Sequence, residues 1–594
     1  MQTLIRSACL LLILAASGLQ LAAQQFVGPE QLYVHFDKAF YLAGEDLWFT
    51  VYFTNPQYRQ SEIVHVELYD PRGGLIREQM LKVENNRAHG DFALPPSLSE
   101  GYYHFRAYTH WNLNFTPLLT FEQDIAVYEF SGATAADPTR PEEVAAPASL
   151  QQEHIRITTD RQVYEPRDLI GVSISTEGGL PLGGMASVSV MDLRYVPYDS
   201  LSHITDEAHA FRPELFRRNT GPQQPAQTHI YKSFLLRNPV TKKPVKSTFI
   251  AGYVRQTKQR IIAQTDNGEV RVRFDAFYDS SVVQLFDASP FVVEYSPIVS
   301  VLSEPQLLPR PTLKSGLPPK TPVVRQYIES YKRRFHLNNL FGSLTNMRAS
   351  LPEVVQAQLT PTYTYEVDDF IEFESTFRFI KESVSAFKIR KYPQYIPPSR
   401  QRSEADATNA VLQNLPRPQY YFKLFVPHLK VKEKATRRNP LLIVNDYLTY
   451  DADAILRMDI KNLKRIEVFS DVKTLPEQFG PIGNFGVIRF ETRDGTTSPE
   501  IVNTPNNLKI MGFYLPREFR LPPHRGFAKG VSREPNLRPM MYWNPAVSLQ
   551  PGSPTRLNFS ANDVPGLYLL RLQGVLQDGR RVYGEQLIRV EVRR

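Results

Sequence analysis

Short runs in which apolar and polar residues alternate recur along most of this chain, the period of a half-buried β-strand. Residues 32–36 and 47–53 read as strands, with a turn over Asp37-Lys38-Ala39-Phe40-Tyr41-Leu42-Ala43-Gly44-Glu45 between them. Val64-His65-Val66-Glu67-Leu68 alternates, Asp70-Pro71-Arg72-Gly73-Gly74 turns the chain, and residues 100–108 form a further strand. This pattern describes an antiparallel sandwich. It then returns. Residues 154–158 alternate, Asp160-Arg161-Gln162-Val163-Tyr164-Glu165-Pro166-Arg167-Asp168 matches the turn at Asp37, and 169–174 and 186–191 read as strands. A third echo lies near the C-terminus. Gly566-Leu567-Tyr568-Leu569-Leu570-Arg571 has the Gly-x-Tyr-x-x-Arg spacing of Gly101 to Arg106, Asp578-Gly579 turns the chain, and 588–592 forms the last strand. Repetition of this kind predicts an array of similar domains.

Other segments break the pattern. Residues 195–245, with Gly221-Pro222-Gln223-Gln224-Pro225, read as an insertion or mobile loop. Residues 131–150 are rich in Ala, Pro and Glu and read as a linker. Val323, Val324, Tyr327, Ile328, Tyr331 and Phe335 recur at helical spacing, and that helix is expected to bridge the sandwiches to the segment beyond residue 360. A second helix is expected from the N-cap Ser375 to about Val384. Residues 441–446 read as a buried strand entering a tight turn, 452–458 as a short helix, and 463–469 and 487–492 as two more strands. The glycines of 479–486 suit a loop with unusual backbone angles.

Composition narrows the classes. Arg6, the apolar core 8–16 and the small residues at Leu21-Ala22-Ala23 form a secretory signal, with cleavage expected before Gln24 or Gln25. The chain is therefore expected to be exported, and its apolar run is too short to span a bilayer. The one cysteine, Cys9, lies inside that signal. A mature chain without cysteine excludes disulfides, thiol catalysis and cysteine metal sites. The net charge of +8 favours anionic envelope surfaces or acidic partners. Nucleic acid is not expected, because no recognition motif is present.

The two turns resemble the "D-K-x-x-Y-x-P-G-E" turn of the α2-macroglobulin family's MG domains, with Ala43 in place of the proline in one copy and Arg167 in place of the glycine in the other. Tyr542-Trp543-Asn544-Pro545 followed by Asp563-Val564-Pro565-Gly566-Leu567-Tyr568 resembles the same family. Phe249 to Val254 and Thr265-Asp266-Asn267-Gly268 before 270–274 are similar to the regulatory-like sandwich of carboxypeptidases. Pro440, Ile466-Glu467-Val468, Phe479-Gly480, Gly486-Val487-Ile488 and Thr492 to Gly495 resemble the plug of TonB-dependent outer-membrane receptors. Asn445 stands where that family has aspartate and Asp446 where it has glycine. Residues 367–373 and the helix after them look like the start of the same α+β unit, and 392–440 a long excursion within it. The plug of that family closes a 22-stranded barrel, whose strands need roughly 9–11 residues each. Only 99 residues follow Gly495, so another role is expected for it.

The resulting expectation is a mostly β chain: tandem antiparallel β-sandwiches of macroglobulin or Ig-like type plus an α+β plug-like domain. The expected segments are a signal at 1–23, an MG2-like sandwich at 26–130, the linker, and a second MG-like sandwich at 151–240. A carboxypeptidase-regulatory-like sandwich at 241–310 comes next, then a helical connector at 311–360, the plug-like domain at 361–498, and a C-terminal macroglobulin-like sandwich at 508–594.

Candidate chemistry is sparse. Tyr583-Gly584-Glu585-Gln586 has tyrosine where macroglobulins carry the thioester cysteine, so no thioester is expected. His35, His104, His110 and His154 are dispersed, and no zinc motif occurs. Asp368-Asp369 with Glu372 and Glu374 lacks the glycine and oxygen spacing of a calcium loop and reads as a solvated edge. Tyr420, Tyr421, Phe422 and Phe425 read as core or as an interface patch. No catalytic residue, cofactor or metal is expected. The candidate interface is the basic run Lys430, Lys432, Lys434, Arg437 and Arg438, which suits a charged edge strand or a contact with an anionic surface. The candidate plug-like motif is Pro440, Asp446, Ile466, Glu467, Val468, Phe479, Gly480, Gly486, Val487 and Gly495. With the plug resemblance, these imply a non-enzymatic envelope scaffold, in the periplasm or at the outer membrane of a Gram-negative cell, that binds an outer-membrane or other envelope protein. Alternatives are an accessory subunit that pairs its plug-like domain with a separate β-barrel, and a protease-interacting protein without a thioester.

Overall fold

The computed structural model describes residues 28–129, 147, 149–176, 183–197, 202–238, 241–245, 249–287, 298–302, 308–341, 347–348, 359–393, 420–427, 440–449, 452–502, 507–519 and 536–592. They are mostly β, in several antiparallel sheets. The chain divides into two compact units, Met1–Thr228 with Gln306–Ser350 and Phe513–Arg594, and His229–Pro305 with Leu351–Gly512.

In the first unit, the strands Leu32–Phe36, Asp46–Phe53 and Arg87–Ala93 make one sheet. Phe40–Leu42, Phe121–Tyr128, Gly101–Tyr108, Ile63–Tyr69 and Leu75–Lys82 make the other, in that order. Alternate residues Leu32, Val34 and Phe36 pair with Phe53, Val51 and Phe49 and fill the space between the sheets. The opposite face is also buried: Tyr52 donates from its hydroxyl to Ser187 Oγ (2.8 Å) and to the Gln573 carbonyl (3.0 Å) of a second sandwich. Burial on both faces is why 47–53 reads as a nearly unbroken apolar run.

The second sandwich differs from expectation. Gly184–Asp192 is a central strand, flanked by Gly566–Leu576 and Met540–Leu549. Ile155–Thr159 and Leu169–Thr176 form a sheet with Thr555–Ser560. The segments expected as separate sandwiches at 151–240 and 508–594 are thus two halves of one sandwich. Neither half closes a core alone; Ile157, Ile170, Val188, Phe559, Leu570 and Val582 pack as one cluster.

The helix Pro322–Phe341 begins where periodicity places it, with Thr321 Oγ1 accepting from the Val324 amide (3.3 Å) and proline in the first turn. Val324 and Tyr327 pack against Phe40, Leu42 and Tyr128 of the first sandwich and Leu193 and Leu569 of the second. The described parts of 195–245 are not a free loop. Ile204 is fully buried, its amide donates to Gln573 Oε1 (2.8 Å), and Arg217–Arg218 pairs with Phe115–Thr116.

In the second unit, Glu269–Phe274, Ile230–Arg237 and Ile298–Val301 form one sheet, and Arg260–Gln264, Phe249–Val254, Ser280–Asp287 and Asn507–Met511 another. The sandwich expected at 241–310 therefore takes one strand from before that range and one from well after it. A further, five-stranded sheet has the order Tyr363–Glu366, Leu463–Phe469, Val487–Thr492, Leu441–Val444, Tyr447–Thr449. The pair Leu441–Val444 and Val487–Thr492 is parallel and the others are antiparallel. Ser375 caps the helix Thr376–Ser383, its hydroxyl accepting from the Arg378 amide (3.3 Å). The excursion after 392 returns as Tyr420–Phe425, paired with Lys388–Pro393. Leu424 is buried and Phe422 packs on Phe377 against the core.

Candidate docking site

The duplicated turn can be followed atom by atom. In the first copy, Asp37 Oδ1 accepts from the Tyr41 hydroxyl (2.6 Å) and the Trp48 amide (3.0 Å). Lys38 Nζ pairs with Glu45 Oε2 (2.8 Å), which also accepts from the Leu42 amide (3.0 Å). Gly44 sits at φ 95, its amide donating to the Leu94 carbonyl (3.0 Å), while the Leu94 amide returns a bond to the Glu45 carbonyl (2.9 Å). In the second copy, Asp160 Oδ1 accepts from the Tyr164 hydroxyl and the Gly171 amide (2.9 Å). Arg161 pairs with Asp168 Oδ2 (3.3 Å), which accepts from the Glu165 amide (2.9 Å). Arg167 takes the place of Gly44 at φ 66, and its backbone ladder runs to Ala561.

The surroundings of the copies differ. In the first, Tyr327 of the helix donates its hydroxyl to Glu45 Oε1 (2.6 Å), sealing the ion pair from water. Burial pushes the Glu45 carboxyl up, but Lys38 and then Arg334 outweigh it and hold the group below its ordinary range. Burial also opposes charge on Lys38, and Glu45 outweighs it, so its ammonium is held charged. Burial, opposed in part by Lys38 and Tyr41, pushes Asp37 up to about 6. In the second copy Arg161 is 55% exposed.

The motif residues of the second unit come together around one sheet. Pro440 is buried just before Leu441–Val444. Asp446 lies in the turn to Tyr447–Thr449 and pairs with Lys258 (2.7 Å). The preceding Asn445, at φ 53, bonds through its amide to Thr492 Oγ1 (3.0 Å), Thr497 Oγ1 (2.9 Å) and the Thr496 carbonyl (2.9 Å), tying the turn to the end of the neighbouring strand. Ile466 and Val468 face the core with Ile488 and Phe490, while Glu467 faces the other side and pairs with Arg489. Phe479 ends a short helix that Gly480 stops at φ 62. Gly486, at φ 90, accepts from the Leu441 amide (2.9 Å) and leads into Val487. Gly495, at φ 70, turns the chain after Thr492.

Other sequence candidates do not converge. Lys430, Lys432, Lys434, Arg437 and Arg438 lie outside the described residues, as do the signal and most of the linker. Tyr583 and Glu585 are buried in the strand Arg581–Val590 and bonded to each other. His104 pairs with Asp124 (2.9 Å), whereas His110 stacks on His65 with centroids 4.5 Å apart. Asp368 is paired with Arg493. Sequence reasoning missed two features. One is the edge strand Tyr363–Glu366, whose β-forming Tyr-Thr-Tyr run was its signal. The other is the buried pairing of the Gln284 side chain with the Leu448 backbone (2.9 and 3.1 Å), which has no local signature. Among the described residues no helix is long and apolar enough to cross a membrane.

Residues 31–118 match the MG2 domain family, so this part of the chain is macroglobulin-like. The search of curated proteins returned no match. Among solved structures, the chain is similar to an Escherichia coli alpha-2-macroglobulin in its native conformation (11% identity, 95% of this chain and 40% of that one, TM-score 0.23). A Salmonella alpha-2-macroglobulin reacted with methylamine gives 12% identity over 95% and 40%, with TM-score 0.23. A Legionella pneumophila DUF4785 family protein gives 11% over 43% and 52%, with TM-score 0.13. The chain spans about two fifths of the length of the two macroglobulins. At these TM-scores the likenesses carry no argument.

Proposed function

We propose that this chain is a non-enzymatic protein of the cell envelope. Its macroglobulin-like modules serve as a scaffold, and its α+β unit, read as a TonB-receptor plug-like domain, docks on an outer-membrane or other envelope protein. The observation that carries the scaffold part is the MG2 match at 31–118, whose signature turn recurs bond for bond at Asp160 to Asp168. The docking part rests on the gathering of Pro440, Ile466, Val468, Gly486 and Val487 into one packed sheet, an order that the plug motif implies.

The test is crosslinking from positions 430–438 in intact envelopes, with identification of what is captured. Capture of one envelope protein is expected, and it should weaken when Lys432, Lys434 and Arg437 are changed to glutamate. A chain that fractionates away from the envelope and captures nothing there would overturn the reading. A captured β-barrel protein would specify the accessory-subunit form. The MG2 match equally favours a protease-interacting reading; retention of an active protease by the purified chain would decide for it.

A further inference from the structure

Among the described residues, the sheet of the α+β unit ends in an edge strand, Tyr363–Glu366, paired on one side to Leu463–Phe469 and at the end of the sheet order on the other. Edges of this kind are usually short, charged or covered. This one is short, four residues ending in Glu366, but it carries no lysine or proline, and Tyr363 and Thr364 are exposed. Exposed apolar residues lie beyond both ends of it. Val472 is 64% exposed in the loop that the Ser470 amide ties to Thr362 Oγ1 (3.0 Å). Ile371 is 83% exposed in the loop that leaves Glu366, with Phe370 beside it anchored on Phe379.

We propose that this edge takes an extended segment of a partner protein in which apolar and basic residues alternate. The inference rests on reading the α+β unit as a docking module, and it names the surface and the partner. Register sets the alternation. Tyr363 and Tyr365 share the face of Val468 and Ile466, while Thr364 and Glu366 share the face of Glu467 and Arg465. A strand added alongside therefore meets tyrosine on one face and polar groups on the other. Charge sets the sign. Past Glu366, Asp369 and Glu372 are exposed and make no ion pair among the described residues, whereas Asp368 and Glu374 already pair with Arg493 and Arg378. Strand addition supplies backbone hydrogen bonds for affinity, and the side-chain alternation supplies selectivity.

The test titrates the full chain with a fluorescein-labelled peptide Lys-Val-Lys-Val-Lys-Val-Lys, following anisotropy and backbone hydrogen exchange. The expected result is slowed exchange at 363–366 on binding. Asp369→Lys with Glu372→Lys should weaken affinity by about ten-fold, as should raised salt. Ile371→Ser, at a solvent-exposed position that leaves the fold intact, should also weaken it. Unchanged exchange at 363–366, or equal affinity for the charge-reversed chain, would overturn the proposal. So would protection of the same amides by self-association without peptide, which would make a second copy the occupant. Envelope capture without peptide binding would remove only the edge, and peptide binding without envelope capture only the cellular setting.

Discussion

The turns at Asp37 and Asp160 share their hydrogen bonds but not their environment. Asp37 with Tyr41 and Trp48, and Asp160 with Tyr164 and Gly171, place the same donors on the same acceptor oxygen. The first is buried beneath a helix and the second faces solvent. Phe40 and Tyr128, which the helix covers, correspond in register to Val163 and Glu591. The turn motif thus dictates local geometry, while the residues around it decide whether its ion pair lies in a protein interior or in water. Coulomb attraction and desolvation both depend on that surrounding, so one motif carries two different energies.

The ion pairs give the largest expected difference. Replacing Lys38 with methionine leaves Glu45 buried without its cation, and breaking such a pair costs about 3–5 kcal/mol. The same change at Arg161 removes an exposed partner and should cost about 0.5 kcal/mol or less. Urea unfolding of the two variants beside the parent chain measures both. Equal midpoint shifts would mean that the helix does not shield the first turn.

This contrast also separates the features legible in the sequence from those that only the fold reveals. The turns, the Gly-x-Tyr spacing and the helix at 322 were legible because each is local: alternation, a cap or a left-handed position reports on neighbours a few residues away. The joining of 184–192 to 540–549 and 566–576 was not. A central strand and an edge strand both alternate, and nothing in Ala186-Ser187-Val188 states that its partners lie more than three hundred residues on. In the α+β unit the motif glycines and the Ile466-Glu467-Val468 strand were legible for the same local reason, while the Gln284–Leu448 pairing depended on tertiary packing alone.

Acid should separate the modules next. His35 lies two residues before Asp37, where the second copy has Thr158. Burial, with Arg571 adding to it, holds the His35 imidazole neutral well below its ordinary 6.5, and Nδ1 bonds Ser187 Oγ (2.6 Å). The unfolded chain therefore binds a proton that the fold refuses once pH drops below 6.5. Stability from this group is present above that value and is lost as pH falls below it. Asp37 works the other way: its folded value of about 6 lies above its ordinary 3.8, so its contribution improves as pH falls through 6. His104, whose pairing with Glu122 and Asp124 outweighs its burial, also favours the acid form. The measurement is accordingly a difference: urea midpoints of His35→Asn minus the parent from pH 7 to 5 should rise as pH falls. A flat difference would show that His35 is protonated in the fold.

The smallest effect comes from the left-handed position. Gly44 holds φ 95 with the Tyr331 hydroxyl 3.4 Å from where a Cβ would stand, and Arg167 holds φ 66 with a side chain already in place. Alanine at 44 should cost about 1–2 kcal/mol from backbone strain. Glycine at 167 relieves a similar strain but removes the bonds from Arg167 to Asp563 (2.7 and 2.9 Å) and adds freedom to the unfolded chain. Those contributions oppose one another, so the stability of Arg167→Gly should stay within about 1 kcal/mol of the parent. A double variant, Arg167→Gly with Asp563→Ala, reads what Asp563 does apart from the ion pair. If it matches Arg167→Gly alone, Asp563 acts on stability only through Arg167 and the second turn keeps its shape through its backbone ladder to Ala561; if it is much weaker, Asp563 also holds that turn through its bond from the Asn536 amide (2.7 Å).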